Sequence, residues 1–198
     1  MQMQRQPYAI APFERVAIFI EGSNTYASLK RIGADTEWHS LLAFYVRLVE
    51  YLSRNSILIR AFYYTGVCDD PKFQWVKDLC RALELNGITV RTKPVRGRGT
   101  SMKGDTDMEL AIDMLTLAER IDRAILVSGD GDFEPLVEAV KMKGVRFQVV
   151  SSLKTSPESS EHRHPVLSDT LRRKADLCTL LEDIFEDVQK LGRPFSYR

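Results

Sequence analysis

The chain has 198 residues, 44% of them apolar and 28% charged, the mixture of an ordinary globular domain. That excludes a fibrous or disordered chain and supplies enough apolar material for one core. Lysine plus arginine number 28 and aspartate plus glutamate 27, a net charge of +1, so total charge selects no polyanionic partner and its distribution must decide.

Taken in chain order, apolar periodicity alternates between β-branched runs and helical stripes. Residues 15–20 (RVAIFI) read as a strand, followed by helices over about 24–32 and 38–53. Residues 57–64 (ILIRAFYY) form a second strand, and a helix over about 71–86 stops at Gly87. Residues 88–92 give a third strand and 106–121 a helix. Residues 124–127 (AILV) give a fourth strand, leading to a helix over 133–143 that stops at Gly144, and 145–150 (VRFQVV) a fifth. Glycine after an apolar stripe is a C-terminal cap signal. Residues 168–191 read as one last amphipathic helix, striped by Leu171, Ala175, Leu177, Leu180, Leu181, Ile184 and Val188.

Most of the strands are apolar at both parities, as expected when a parallel sheet is covered on both faces. The gaps between them are too long for hairpins, so the pattern predicts βαβ crossovers and a parallel α/β layer fold. No internal repeat and no second composition breaks the chain. The expected organisation is a tail over 1–13, one domain over 14–191 that includes the final helix, and a tail over 192–198. That final helix also offers a surface on which a second copy could form a homodimer.

The longest unbroken apolar run is six residues, 41–46, against the roughly 18–20 of a membrane span. The start MQMQRQP has no apolar leader, so a cytoplasmic protein with no membrane partner is expected. Cys68, Cys80 and Cys178 are widely spaced without a C-x-x-C and read as small buried hydrophobes in a reducing compartment. His162 and His164 form the one close histidine pair, in Ser/Pro-rich loop sequence rather than a zinc pattern.

In an open parallel sheet, ligands bind beyond the carboxyl ends of the strands at the point where strand order reverses. The first strand stops at Glu21-Gly22-Ser23-Asn24, the fourth at Ser128-Gly129-Asp130-Gly131-Asp132. Both place carboxylates directly after an apolar strand. Asp132 also reads as a helix cap, since it precedes Phe133-Glu134-Pro135. Glu is a poor cap, so Glu21 has no such explanation. At about 100° per residue, Leu110, Met114 and Ala118 make a core stripe, and Asp107 continues it one turn earlier. Asp105 and Glu109 point the other way, and Asp113 lies on the flank. Glu21, Asp107, Asp130 and Asp132 therefore converge on one crevice if the first and fourth strands are neighbours.

Crowded carboxylates repel unless a cation sits among them, and oxygen ligands without His or Cys favour Mg²⁺ or Mn²⁺ over zinc. Residues 91–103 (RTKPVRGRGTSMK) hold five basic residues and no acid. A phosphodiester suits an acidic metal site beside such a loop. Lys103 and Ser23 are candidates to hold a substrate phosphate, and Arg96 and Arg98 to follow a nucleic-acid backbone. A solvated basic loop is the plainer alternative for the arginines. Residues 151–167, Ser-rich and proline-punctuated, leave the fifth strand on the site side, where a lid or substrate-ordering loop would sit; plain disorder is the simpler alternative for such a composition. No Walker-type G-x-x-x-x-G-K-[ST] occurs, and the first strand lacks the D-x-D of haloacid dehalogenase-type phosphatases.

FIEGSN at 19–24, KGDTDMELAID at 103–113 and SGDGDF at 128–133 resemble the three motifs of the NYN family, in its LabA-like branch of the PIN-like metal-dependent nucleases. SDTLRRKADLCTLL at 168–181 is similar to the tail of that branch, so the resemblance covers about residues 14–185. It implies a three-layer α/β/α sandwich around a parallel sheet of order 3-2-1-4-5. It also implies an Mg²⁺ or Mn²⁺ site and ribonuclease-type hydrolysis of single-stranded or structured RNA. The implied ligands fall on Glu21, Asp107, Asp130 and Asp132, with Asn24 as a polar site residue. The family usually carries Asp where this chain has Glu21, and the helix motif has an extra residue that leaves Asp105 as an outer acid. A non-catalytic RNA-binding or regulatory module is the competing expectation.

Overall fold

The computed structural model describes residues 14–95, 106–154 and 166–192. Six strands, all parallel, form one sheet. They are β1 (Glu14–Glu21), β2 (Ser56–Val67), β3 (Thr89–Pro94), β4 (Arg123–Val127), β5 (Arg146–Ser151) and β6 (Leu177–Leu180). Their spatial order is β3-β2-β1-β4-β5-β6. The expected order 3-2-1-4-5 is present, and β6 extends it by one strand.

Among the described residues, seven α-helices cover the sheet: α1 (Gly22–Arg31), α2 (Trp38–Leu52), α3 (Gln74–Leu85), α4 (Asp107–Leu117), α5 (Glu134–Met142), α6 (Asp169–Lys174) and α7 (Leu181–Lys190). The parity of β1 divides them. Val16, Ile18 and Ile20 pack with Leu29 of α1, Leu48 of α2, Leu79 of α3 and Ile184 of α7. Ala17 and Phe19 pack with Met114 of α4, Val137 of α5 and Leu171 of α6 on the other face. Residues 16–20 are all 0% exposed, which is why both parities of this strand are apolar. The result is the three-layer α/β/α sandwich. Gly87 and Gly144 end α3 and α5 at φ near +79° and +78°, the left-handed conformation in which a Cβ is penalised.

The last segment departs from expectation. Residues 168–191 do not form one helix; α6 ends at Ala175, whose backbone is extended (φ −64°, ψ 145°). Asp176 then binds both backbone groups of Phe147: its carboxylate accepts from the Phe147 N–H at 2.8 Å, and its own N–H donates to the Phe147 carbonyl at 2.9 Å. That clasp feeds β6 onto the edge of β5. The apolar spacing ran unbroken through 177–181 because a four-residue strand presents too few residues to show its own period. α7 instead turns Leu181, Ile184 and Val188 into the core, so the long partner-facing helix is not there. Cys178 on β6 is exposed, Cys68 half-buried and Cys80 buried; only Cys80 is the buried hydrophobe expected of all three.

At the amino end of the strands, one ionic group is almost fully buried. Glu14 of β1 and Arg123 of β4 are 3% and 4% exposed and pair at 3.0 Å, and Arg146 of β5 pairs with the same carboxylate. Arg123 also donates to Gln148 Oε1 at 2.5 Å and to Ser56 Oγ at 3.3 Å. Each buried charge thus has an opposite partner within the sheet, as burial of ions demands.

Candidate functional site

β1 and β4 lie side by side, with Ile20 in register with Val127. The chain proceeds outward from β1 through β2 and β3 on one side, and through β5 and β6 on the other. The strand order therefore reverses between β1 and β4, and a crevice opens beyond their carboxyl ends. Glu21 is the last residue of β1, and Ser128 the first after β4.

The Glu21 side chain is only 8% exposed and is held at both oxygens. Oε1 accepts from Ser23 Oγ at 3.0 Å and Oε2 accepts from Ser128 Oγ at 2.5 Å. Burying a carboxylate requires such donors. Ser128 Oγ also accepts from the Asp130 N–H at 3.1 Å, so one hydroxyl joins the two acidic segments. Asn24, in the first turn of α1, accepts the Gly129 N–H on its Oδ1 at 2.9 Å. Thr25 Oγ1, 1% exposed in sum with its residue, lies 2.7 Å from the Glu21 carbonyl and 3.1 Å from that of Val127. α1 is thereby fastened to the ends of both strands.

The turn after β4 is equally built. Asp130 caps the short 3-10 turn Gly131–Phe133 by accepting the Asp132 N–H at 3.0 Å. Asp130 is half-buried and Asp132 exposed, so the cap is Asp130 and not Asp132, which was the candidate on sequence grounds. Gly129 has no room for a Cβ, which would stand 2.3 Å from the Val166 carbonyl oxygen and 2.5 Å from Ser151 Oγ. The Ser168 N–H donates to the Gly129 carbonyl at 2.8 Å, tying the start of α6 to the same turn.

Asp107 opens α4, behind the buried Thr106. α4 crosses from β3 to β4 and runs antiparallel to the strands, so its first residue stands at their carboxyl end. Leu110 and Met114 are buried, as the stripe requires, and Asp107 is half-buried on that line. Ionic contacts pin the helix to β3: Lys93 with Glu109 at 3.0 Å and Arg91 with Asp113 at 3.0 Å. Tyr64, the β2 residue in register with Glu21, donates to Asp113 Oδ2 at 3.0 Å. Burial and the Asp113 charge push the Tyr64 hydroxyl far above its ordinary pKa, which keeps it a donor. Glu109 and Asp113 are therefore structural acids of α4.

Glu21, Ser23, Asn24 and Asp130 thus belong to one hydrogen-bonded group, with Asp132 attached through its backbone. Arg96, Arg98, Lys103 and Asp105 lie outside the described residues, as does most of the 151–167 segment. Ser128 and Thr25 were not singled out on sequence grounds, although Ser128 opens the SGDGDF motif. Their signal was a hydroxyl beside a strand-end acid, a pattern too common to be distinctive.

The donors present are carboxylate, hydroxyl and amide oxygens, which fit Mg²⁺ or Mn²⁺ in chemical type. Among the described residues, no three His, Cys, Asp or Glu side chains are gathered as a metal cage. Also among the described residues, no helix is long and apolar enough to cross a membrane.

Comparison with known proteins gives one family and two similar proteins. The NYN domain model matches residues 15–176. The Low amplitude and bright protein LabA of Synechococcus elongatus is 29% identical over 187 residues, which is 91% of this chain and 90% of that protein. A protein of unknown function from Vibrio parahaemolyticus, solved by crystallography, superposes with a TM-score of 0.66 at 25% identity, covering 88% of this chain and 97% of that one. The sheet order, the Glu21–Ser128 junction and a family match spanning most of the fold lead to one conclusion: the chain belongs to the NYN domain family.

Proposed function

We propose that the protein is a divalent-metal-dependent ribonuclease that hydrolyses RNA phosphodiester bonds at the β1/β4 crevice, within a single domain over residues 14–191. The observation that carries this reading is the buried Glu21 carboxylate at the strand-order reversal, joined through Ser128 to the turn bearing Asp130 and Asp132. Glu21, Asp107, Asp130 and Asp132 would hold Mg²⁺ or Mn²⁺. When bound, such an ion supplies charge neutralisation at phosphorus and a more acidic water. The protein's own part is placement: Ser128 fixes the rotamer of Glu21, and Asn24 fixes the Gly129 N–H and with it the acidic turn. Ser23, exposed at the rim, offers a hydroxyl to a phosphate oxygen. Arg96, Arg98 and Lys103 are assigned to the RNA backbone, contacts that weaken with salt. Family membership supports the nuclease class.

RNA cleavage by the purified chain in Mg²⁺ or Mn²⁺ should stop with EDTA. It should be lost in Asp107→Asn and Asp130→Asn variants that keep the wild-type circular dichroism spectrum. Metal binding without cleavage of any RNA overturns the enzyme.

A second reading, an RNA-binding regulatory module without turnover, is favoured by one feature. Both oxygens of Glu21 are satisfied by hydroxyls, and the longer side chain stands where the resembling motif has Asp. On this reading RNA binding is salt-sensitive, Glu21→Gln leaves it unchanged, and Glu21→Asp gains cleavage. On the nuclease reading the wild type already cleaves.

A further inference from the structure

The crevice carries an aromatic pair on one flank. α1 starts at Gly22, directly after Glu21, and α3 follows the carboxyl end of β2 through the short 3-10 turn Pro71–Phe73. Both helices therefore begin at the crevice end of the sheet. Tyr26 lies one turn along α1 from Ser23, about 4.5 Å on the helix axis, and Trp75 is the second residue of α3. Their ring centroids stand 6.0 Å apart with the planes tilted by 33°. Lys30, one turn further along α1, holds its Nζ 5.5 Å from the Tyr26 centroid.

Burial separates this pair from the aromatic core. Tyr63 and Tyr64 of β2 are 4% and 0% exposed, whereas Tyr26 and Trp75 are half-buried and pack on the core from outside. A tyrosine and a tryptophan left partly in water forgo some of the burial energy of their rings, and such rings are enriched where proteins meet partners. The charges beside Trp75 narrow the choice of partner. Lys72 and Lys77 share the turn and the start of α3 with Asp69 and Asp70, and Lys77 pairs with Asp69 at 2.8 Å. Balanced charge gives a phosphate no strong hold there. What the rings offer is a π-face, and every nucleobase has one to match it. In a duplex those faces are closed by stacked neighbours, so only an unpaired strand presents them.

We propose that Trp75, backed by Tyr26, is a stacking platform for an unpaired base of the RNA strand whose phosphate lies at Ser23, so that the crevice takes single-stranded rather than duplex RNA. This rests on the reading of the crevice as an RNA site and adds the form of the substrate.

The test uses the full chain carrying Asp130→Asn, so that bound strands stay whole, and Trp38→Phe, which leaves Trp75 as the sole tryptophan. With Mg²⁺ present, its fluorescence is followed against an oligoadenylate decamer, an abasic strand with the same number of phosphates, and a blunt RNA duplex of about ten base pairs. The decamer should quench Trp75 saturably and bind about tenfold or more tightly than the abasic strand or the duplex. Trp75→Leu, checked for folding by circular dichroism and read by anisotropy of a labelled decamer, should bind it about fivefold or more weakly while leaving the abasic strand unaffected. Trp75→Phe, which keeps a ring, should recover most of that loss. If Trp75→Leu does not fold, Tyr26→Leu takes its place with the same expected loss. Equal affinity for the decamer and either control, or binding indifferent to both rings, overturns the platform and leaves an RNA site at the crevice. Binding of none of the three overturns both. Quenching by the decamer in a protein whose wild type cuts no RNA supports the platform and overturns only the nuclease.

Discussion

Replacing Ser128 by alanine tests whether the Glu21 carboxylate is held as a charged, buried group. Ser128 is 1% exposed, and its Oγ makes two bonds: it donates to Glu21 Oε2 at 2.5 Å and accepts from the Asp130 N–H at 3.1 Å. A hydrogen bond to a charged group contributes roughly 1.5–3 kcal/mol and a neutral one about 0.5–1.5 kcal/mol. Ser128→Ala removes one of each and should therefore cost about 2–4 kcal/mol. With a urea dependence of about 2 kcal/mol per molar, the middle of the usual range, the unfolding midpoint should fall by about 1–2 M. Equilibrium urea unfolding at pH 7 on wild type, Ser128→Ala, Glu21→Gln and the double variant completes the measurement. If the loss comes from the carboxylate, the two substitutions are coupled by about 1 kcal/mol or more. A Ser128→Ala midpoint indistinguishable from wild type refutes the reasoning, as does additivity with Glu21→Gln within about 0.5 kcal/mol.

Other outcomes follow from the same structure. Gly129→Ala places a Cβ against the Val166 carbonyl and Ser151 Oγ, and backbone cannot yield as a side-chain tip can. It should cost roughly 1–3 kcal/mol in urea unfolding. Glu14→Ala leaves the buried Arg123 without its counter-ion, a loss of roughly 3–5 kcal/mol, whereas Asp69→Ala at an exposed pair should leave the urea midpoint nearly unchanged. Acid should destabilise the fold in a defined window. Hydrogen bonds from Arg15 lower Asp122, and that from Ser40 lowers Asp35, below the ordinary 3.8. A carboxylate whose folded pKa is depressed contributes fully above its unfolded value and loses that contribution as pH falls through the folded one. Urea midpoints should thus decline below about pH 4, and Asp122→Asn should make the decline shallower. An alkylating agent at mildly alkaline pH should modify the exposed Cys178 before Cys80, whose thiol is pushed up to about 11 by burial and by Glu84; peptide mass spectrometry reads the order.

The parts of the fold visible in the sequence were those where burial acts on both faces. VAIFI (16–20) and AILV (124–127) are apolar at every position because β1 and β4 have helices above and below, as a central parallel strand demands. The ends of the sheet follow other rules. β6 has four residues, one neighbour and an exposed cysteine, so its composition passes for helix. What makes it a strand is Asp176 binding Phe147 across 29 positions of sequence, an interaction that no local period encodes. The same holds at the crevice. Asp107 was legible as the acid on the α4 core stripe, but Arg91 and Tyr64 converge on Asp113 from two different strands, and only the folded chain reveals that this acid serves the helix.

The position of Glu21 links these two kinds of information. An apolar strand can end in an acid for no reason beyond solvation, and an exposed Glu would mean little. Here the strand delivers the carboxylate to a place that is 8% exposed, and the neighbouring strand answers with a serine hydroxyl. The sheet order makes this meeting unavoidable, because β1 and β4 are adjacent only where the winding reverses. The consequence reaches beyond stability. A carboxylate fixed by Ser23 and Ser128 has a set orientation, and Asp130 is registered to it through the same Ser128 hydroxyl. Whatever binds in the crevice meets two acidic segments whose relative position is set by hydrogen bonds rather than by free side-chain rotation, a preorganisation that favours catalysis and recognition alike.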